Sequence, residues 1–286
     1  LDESGFFTEE ITLSEGEHTI SLVALDEQRN VAKQYITANY TPIAPSLANE
    51  ILNSSKYDAL IIGIEEYLDK QIPNLENPIK DAKLISEVLS SRYTFEKENI
   101  SLLSNPTREE LIVSFDKLSK TITPEDNLLI FYAGHGMWDE SSGLGYWLPS
   151  DANLKSTANW FPNSTLVDYL KAIKSRHTLL IADAVFGSIY KTRGGFQDIE
   201  KAYKVLYDLP SRKAMTSGVL TEIPDKSSFT KYLIQRLKDN NERCLSSEQL
   251  FSSIRMAVIN NSDAPPQFGK IRGAGDEGGD FIFLLK

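Results

Sequence analysis

Apolar residues follow two rhythms along this chain. From Tyr57 to Ile64, Asn127 to Tyr132 and Thr178 to Ala182 they run almost unbroken, the pattern of strands covered on both faces of a parallel sheet. Between these runs the apolar positions recur at helical spacing. Asn77 can cap a helix that has Pro78 at its first position and reaches about Arg92, and Thr107 with Glu110 forms a capping box for the next. Ser164 to Lys174, Phe229 to Lys238 and Ser247 to Ile259 predict further helices; Ile100 to Leu103, Gly145 to Asp151, a strand closing at Met215 to Gly218, and Asp280 to Leu285 predict shorter strands. The alternation predicts an α/β fold, a mostly parallel sheet of about six strands with helices on both faces. Asn127 to Tyr132 and Thr178 to Ala182 are expected side by side because each ends in a loop carrying candidate chemistry that must meet.

The first residues obey a different rule. Phe6 to Tyr40 alternates apolar and polar positions through Ile11 and Leu13, Thr19 to Leu25 and Val31 to Ile36, predicting three short strands with turns at Glu15-Gly16 and Asp26 to Asn30. They resemble the closing strands of an immunoglobulin-like module, at most half of a sandwich that takes about seven strands. With Leu1 rather than methionine first, the chain reads as a processed or excised fragment whose remaining strands lay upstream. Turn residues at Thr41 to Pro45 and Asn53 to Ser55 divide it into residues 1–45, a partial immunoglobulin-like β segment and linker, and residues 46–286, the main domain.

Composition narrows the function. A chain of 286 residues with 41% hydrophobic side chains can build a full core. Its net charge of -10 argues against nucleic acid or an anionic membrane as the main partner, because phosphate recognition needs clustered Lys and Arg. Apolar runs such as Phe281 to Leu285 fall far short of the roughly 20 residues of a membrane span, so a soluble chain is expected. The single cysteine, Cys244, excludes an intrachain disulfide and a Cys-based zinc site, and reads as a half-buried linker thiol between two helices. His18 and His177 read as ordinary surface or edge residues.

The candidate chemistry lies where the two longest-range apolar strands stop. Asn127 to Tyr132 runs into Ala133-Gly134-His135-Gly136, a histidine between two glycines, and Thr178 to Ala182 runs into Asp183-Ala184-Val185-Phe186-Gly187. Polar residues at the carboxyl ends of parallel strands mark a site. His135 and Val185 are 50 positions apart, the separation at which caspases carry their histidine and cysteine. Tyr132 to Gly136 resembles the histidine loop of the caspase-like cysteine peptidases, a group of caspases, paracaspases and metacaspases. Asp183 to Gly187 resembles their D-[AS]-C-x-[SG] loop, with Val185 where the family has its nucleophile. The resemblance runs from about Lys56 to Lys286.

Taken alone, Asp183 could cap the turn after its strand and Asp81 could be a solvated helix carboxylate. The resemblance implies more. In metacaspases one aspartate on the first helix and one two residues before the cysteine select arginine or lysine, and Asp81 and Asp183 match those positions; Asp151, in Pro149-Ser-Asp-Ala152, matches a loop position bordering the same pocket. His135 would serve as acid and base, and the N–H groups of Gly136 and residue 185 would hold the oxyanion. Protein or peptide substrates with Arg or Lys before the cleaved bond are the implied partners, with no cofactor and no metal.

Valine can neither attack nor be activated, and Ser188 lies three residues beyond it. Two readings follow: a cysteine endopeptidase in a nucleophile-less, inactive form, or a natural pseudopeptidase that binds peptides or proteins without cutting them. Enzymes of this kind are commonly cut between a larger and a smaller segment. Here Gly187 to Lys213 holds Lys191, Arg193, Lys201, Lys204 and Arg212 as candidate sites of self-cleavage. Gly273-Ala-Gly275-Asp-Glu-Gly278 matches a dinucleotide fingerprint in letters only, because it precedes a strand instead of opening a helix. Immunoglobulin-like strands lean towards a cell-surface or periplasmic setting, although the paracaspases of the family that the chain resembles carry such modules inside cells.

Overall fold

The computed structural model describes residues 55–139, 141–185, 199–218, 227–262 and 265–286, and in the amino-terminal segment residues 11, 13–14, 16–25 and 29–40. Phe6, the linkers at 41–45 and 53–54, Phe186 to Ser188, Lys191 and Arg193 lie outside the described residues.

The amino-terminal segment forms one antiparallel hairpin of β1 (Gly16–Leu25) and β2 (Val31–Tyr40), paired from Gly16 opposite Tyr40 to Leu25 opposite Val31. Two described strands therefore stand where three were expected, with Ile11 and Leu13 outside them. The strands are longer than their apolar stretches because cross-strand backbone pairing carries on through Gly16 to Thr19 and through Thr37 to Tyr40.

The main domain begins with β3 (Tyr57–Gly63), every residue of which is buried. Helix α1 (Pro78–Arg92) leads to β4 (Phe95–Ser104), and α2 (Arg108–Thr121) leads to β5 (Asn127–Ala133). After a small sheet of β6 (Gly136–Asp139), β7 (Leu144–Trp147) and β8 (Phe161–Pro162) come α3 (Asn163–Ala172), β9 (His177–Val185), α4 (Ile199–Asp208) and β10 (Ser211–Gly218). The chain closes with α5 (Ser228–Asp239), β11 (Cys244–Ser246), α6 (Ser247–Ile259), β12 (Gln267–Lys270) and β13 (Ile282–Leu284).

The central sheet has six strands in the order β12-β10-β9-β5-β3-β4, all parallel except β12. This is the expected α/β architecture, with β5 beside β9. Alternate strand residues divide the core in two. Ile61, Phe131 and Ile181 meet α1, α4, α5 and α6 on one face, whereas Ile62, Ile130 and Leu180 meet α2 and α3 on the other. The chain leaves β3 outward to β4 and then returns to β5 on the opposite side of β3. That reversal opens a crevice at the strands' carboxyl ends, where α/β proteins place their sites.

Three expectations need correction. The run ending the chain pairs as β13 with β11 in a separate two-stranded sheet, and the sixth strand of the main sheet is the polar β12. Cys244 is a buried strand residue, not a half-buried linker thiol, and burial pushes its thiol up to about 11. His177 is fully buried at the start of β9: the Tyr207 carbonyl accepts from Nε2 at 3.0 Å, so Nδ1 accepts from the Ser211 hydroxyl at 2.9 Å.

Local capping also departs from expectation in one place. The Thr107–Glu110 capping box forms, but Asn77 makes no side-chain cap, and Glu65 Oε1 accepts from Ile79 N–H at 2.9 Å instead. Gly63 makes this close approach possible, since a Cβ there would lie 2.7 Å from the Pro78 carbonyl oxygen. No described helix is long and apolar enough to cross a membrane.

Candidate active site

The site is built where β5 and β9 end side by side. Their register pairs Tyr132 with Ala182 and Ala133 with Asp183, so His135 and Val185 each stand two residues past the last pair, on strands about 4.8 Å apart. Between Ala182 opposite Thr216 and Val185 opposite Gly218, β9 carries Asp183 and Ala184 against the single Ser217 of β10. Such a bulge re-aims side chains at a strand's end.

His135 is held by its backbone and by its ring. The buried Tyr132 hydroxyl donates to the His135 carbonyl at 2.7 Å, and the His135 N–H donates to Tyr67 Oη at 2.9 Å. A Cβ at Gly134 would lie 3.0 Å from that same Tyr132 oxygen, so the approach depends on glycine. The Pro73 carbonyl lies 2.8 Å from His135 Nε2, and because a carbonyl only accepts, Nε2 carries a proton, which in the neutral ring places the lone pair on Nδ1. Burial raises the Tyr67 phenol far above its ordinary range, against the lowering pull of the His135 N–H.

Gly136 begins β6 opposite Trp147, and Leu148 N–H donates to the His135 carbonyl at 3.0 Å. That spacing makes Gly136–Trp147 a non-hydrogen-bonded pair, which turns the Gly136 N–H away from β7.

Asp183 is 6% exposed and lies on the face of the sheet that α1 and α5 cover. Its Oδ2 accepts from the Thr230 hydroxyl at 2.7 Å, while its Oδ1 has no hydrogen-bond partner among the described residues. The Ser217 hydroxyl, across the bulge, is likewise buried and without one. Burial raises the Asp183 carboxyl above the usual carboxylate range, opposed by the nearby Ser227, Thr230 and Ser217 hydroxyls, of which Thr230 alone is within hydrogen-bond geometry of it.

Asp81 occupies the first turn of α1, half-buried, on the same face and at the same end of the sheet as Asp183. Asp151 lies on the other side. Its Oδ1 accepts from Arg108 N–H at 2.9 Å, at the start of α2. Among the described residues no group of three or more His, Cys, Asp or Glu side chains is placed to hold a metal ion. The glycine run closes on Asp276, whose carboxylate receives Arg212 N–H, Gly278 N–H and Lys270, and the strand β13 follows it, not a helix.

Sequence reasoning missed Tyr67, Pro73 and Thr230. Pro73 acts through a backbone carbonyl, which no residue type reveals, and Tyr67 and Thr230 reach the site from 68 and 47 residues away.

A parallel sheet reversing at β3 and β5, with a histidine loop and a buried carboxylate on adjoining strand ends, defines the caspase-like class of α/β proteins. The chain belongs to the caspase domain family, whose model matches residues 57–273, and it is thereby a member of a family of cysteine peptidases that act on protein substrates. Its fold is similar to that of caspase-1 from Spodoptera frugiperda at 17% identity and TM-score 0.56, over 77% of this chain and 90% of that one. It is also similar to the Drosophila initiator caspase Dronc at 12% identity and TM-score 0.54, over 77% and 81% of the two chains. The protein GSU0716 from Geobacter sulfurreducens aligns at 18% identity and TM-score 0.50, over 80% and 99%. No curated protein matches the sequence.

Proposed function

We propose that the chain carries the site of a cysteine endopeptidase that selects Arg or Lys before the cleaved bond, in a form that Val185 leaves without a nucleophile. The unmet Asp183 Oδ1, buried at the end of β9 opposite Ala133 of the strand that leads into His135, is the observation that supports this most. A buried carboxylate oxygen without a donor is costly, and a substrate's cationic end would supply one. Asp81 adds negative charge at the same end of the sheet, and Asp151 borders the pocket from the α2 side.

With a thiol at position 185, its thiolate sulfur would bond to the substrate carbonyl carbon as the π electrons move to oxygen. The N–H groups of Gly136 and residue 185 would hold that oxygen. Collapse breaks the C–N bond, and the leaving amine takes the proton that His135 Nδ1 received from the thiol. Water then adds to the thioester, releasing a carboxylic acid and restoring the thiol. Val185 supplies the N–H and nothing else, so only about 10³- to 10⁴-fold over water from binding and the oxyanion hole remains.

The test is Val185→Cys assayed on peptides ending in Arg, Lys, Asp and neutral residues, with cleavage after Arg and Lys expected. Equal cleavage after Asp or neutral residues rejects the pocket. A folded cysteine variant that cuts nothing rejects the peptidase, and favours the second reading that valine at 185 supports, a binding module in which the Val185 chain holds Arg peptides uncut.

A further inference from the structure

A single loop grips His135 at both ends. Residues 64–77 join β3 to α1, and Tyr67 within them is 1% exposed. Its hydroxyl accepts the His135 N–H, and its ring lies 5.1 Å from the imidazole at a tilt of 44°. Pro73, six positions on, presents its carbonyl to Nε2. What fixes Pro73 relative to Tyr67 is the next residue, since Tyr67 N–H donates to Asn74 Oδ1 at 3.2 Å. Leu75 N–H closes the loop on the Glu65 carbonyl at 2.9 Å, and Leu68 N–H ties it to the Ser150 carbonyl at 2.8 Å.

We propose that Tyr67 and Asn74 are positioning residues that hold His135 as its Nε2–H tautomer and leave Nδ1 free to exchange a proton. Tyr67 places the histidine's backbone and Asn74 places the carbonyl that reads its ring. A neutral imidazole takes either tautomer, and the partner of one nitrogen decides which. Here that partner is a main-chain oxygen in a turn, so its position depends on the hydrogen bond that closes the turn. Asn74 is exposed and makes its described contact with Tyr67, not with the histidine, so substituting it leaves the core intact. For catalysis the inference rests on the peptidase reading of His135; the tautomer itself is measurable in the Val185 chain.

The chain has three histidines, so imidazole-nitrogen NMR on the ¹⁵N-labelled protein can separate them. The native chain is expected to show His135 protonated at Nε2 alone. Asn74→Ala and Tyr67→Phe should each give a mixture of tautomers. Asn74→Asp, which keeps an acceptor for Tyr67 N–H, should restore the single form. In the Val185→Cys background the same Asn74→Ala change should lower kcat about tenfold or more with KM little changed. An Asn74→Ala chain whose His135 stays purely Nε2–H overturns the proposal, and so does Asn74→Asp behaving like Asn74→Ala. Should Tyr67→Phe fail to fold, the Asn74 pair decides by itself. A Val185→Cys protein without activity would overturn the peptidase reading and leave the tautomer result standing.

Discussion

Thr230 donates its hydroxyl to Asp183 Oδ2 across 2.7 Å, joining the first turn of α5 to the bulged end of β9. The bond favours the charged carboxylate while burial opposes it, and burial is the larger influence. A cationic side chain needs Asp183 ionised. Affinity of the Val185 chain for a peptide ending in Arg should therefore rise with pH through the raised pKa and level off above it. Thr230→Val removes the bond and should move that rise to higher pH. Calorimetric titrations across pH check this, and a pH-independent affinity in both proteins would remove Asp183 from the pocket. In the Val185→Cys background, Asp183→Ala should cost roughly ten- to a hundredfold in preference for basic over neutral residues.

Asp151 should behave mainly as a cap. Asp151→Ala leaves the Arg108 N–H without its acceptor and should cost about 1 kcal/mol in chemical denaturation, whereas Asp151→Asn keeps an acceptor and most of the stability. Its effect on basic selectivity should stay well under that of Asp183→Ala. A comparable loss in Asp151→Asn would place this carboxylate inside the pocket.

How much of this was legible varies with the reach of the interaction. β3, β5 and β9 announce themselves because both faces of each are covered, so their central positions, such as Leu60 to Ile62, Leu128 to Phe131 and Leu179 to Ala182, had to be apolar or small. The Thr107–Glu110 box is local and reads directly. The edge strand β12 does not, since an antiparallel edge asks for backbone pairing and not for an apolar run, while Ile282 to Leu284 is apolar for packing in another sheet. His135 was visible between its glycines, but the loop that orients it acts through Tyr67's hydroxyl and Pro73's carbonyl across 62 to 68 residues. His177 followed Ser175 and Arg176 and looked exposed; its partners Tyr207 and Ser211 lie 30 and 34 residues on.

The buried His177 should make the fold sensitive to acid. Burial lowers its pKa to about 3, opposed in part by the Tyr207 carbonyl. Above the unfolded value of about 6.5 both states are neutral and the group has no effect. Below it the unfolded chain binds a proton that the folded chain refuses, so stability falls by about 1.4 kcal/mol per pH unit until about pH 3. His177→Gln keeps a donor for Tyr207 without a titrating group, and should flatten the acid limb of stability against pH measured by urea unfolding. An unchanged limb would assign the acid sensitivity to other groups.

Self-cleavage is the last expectation, and the fold restricts where it can happen. Of the basic residues between Gly187 and Lys213, Arg212 is 6% exposed in β10 and donates to the carbonyls of Leu170, Ile173, Ser175 and Arg176, so it is no cleavage site in the folded chain. Lys201 and Lys204 lie within α4, whose helical backbone must open before a peptidase can bind it extended. Lys191 and Arg193, outside the described residues, remain as the sites to test. Both follow position 185 within eight residues, which gives a basic-selective site a high effective concentration of its own chain. On a gel after prolonged incubation the Val185 form should stay at 32.1 kDa. The Val185→Cys form should split, and Lys191→Ala with Arg193→Ala should abolish the split while sparing peptide cleavage. A cut after Arg212, mapped by mass spectrometry on the folded protein, would contradict the buried placement of that side chain, and a cysteine form that cleaves peptides yet stays whole would separate processing from its mechanism.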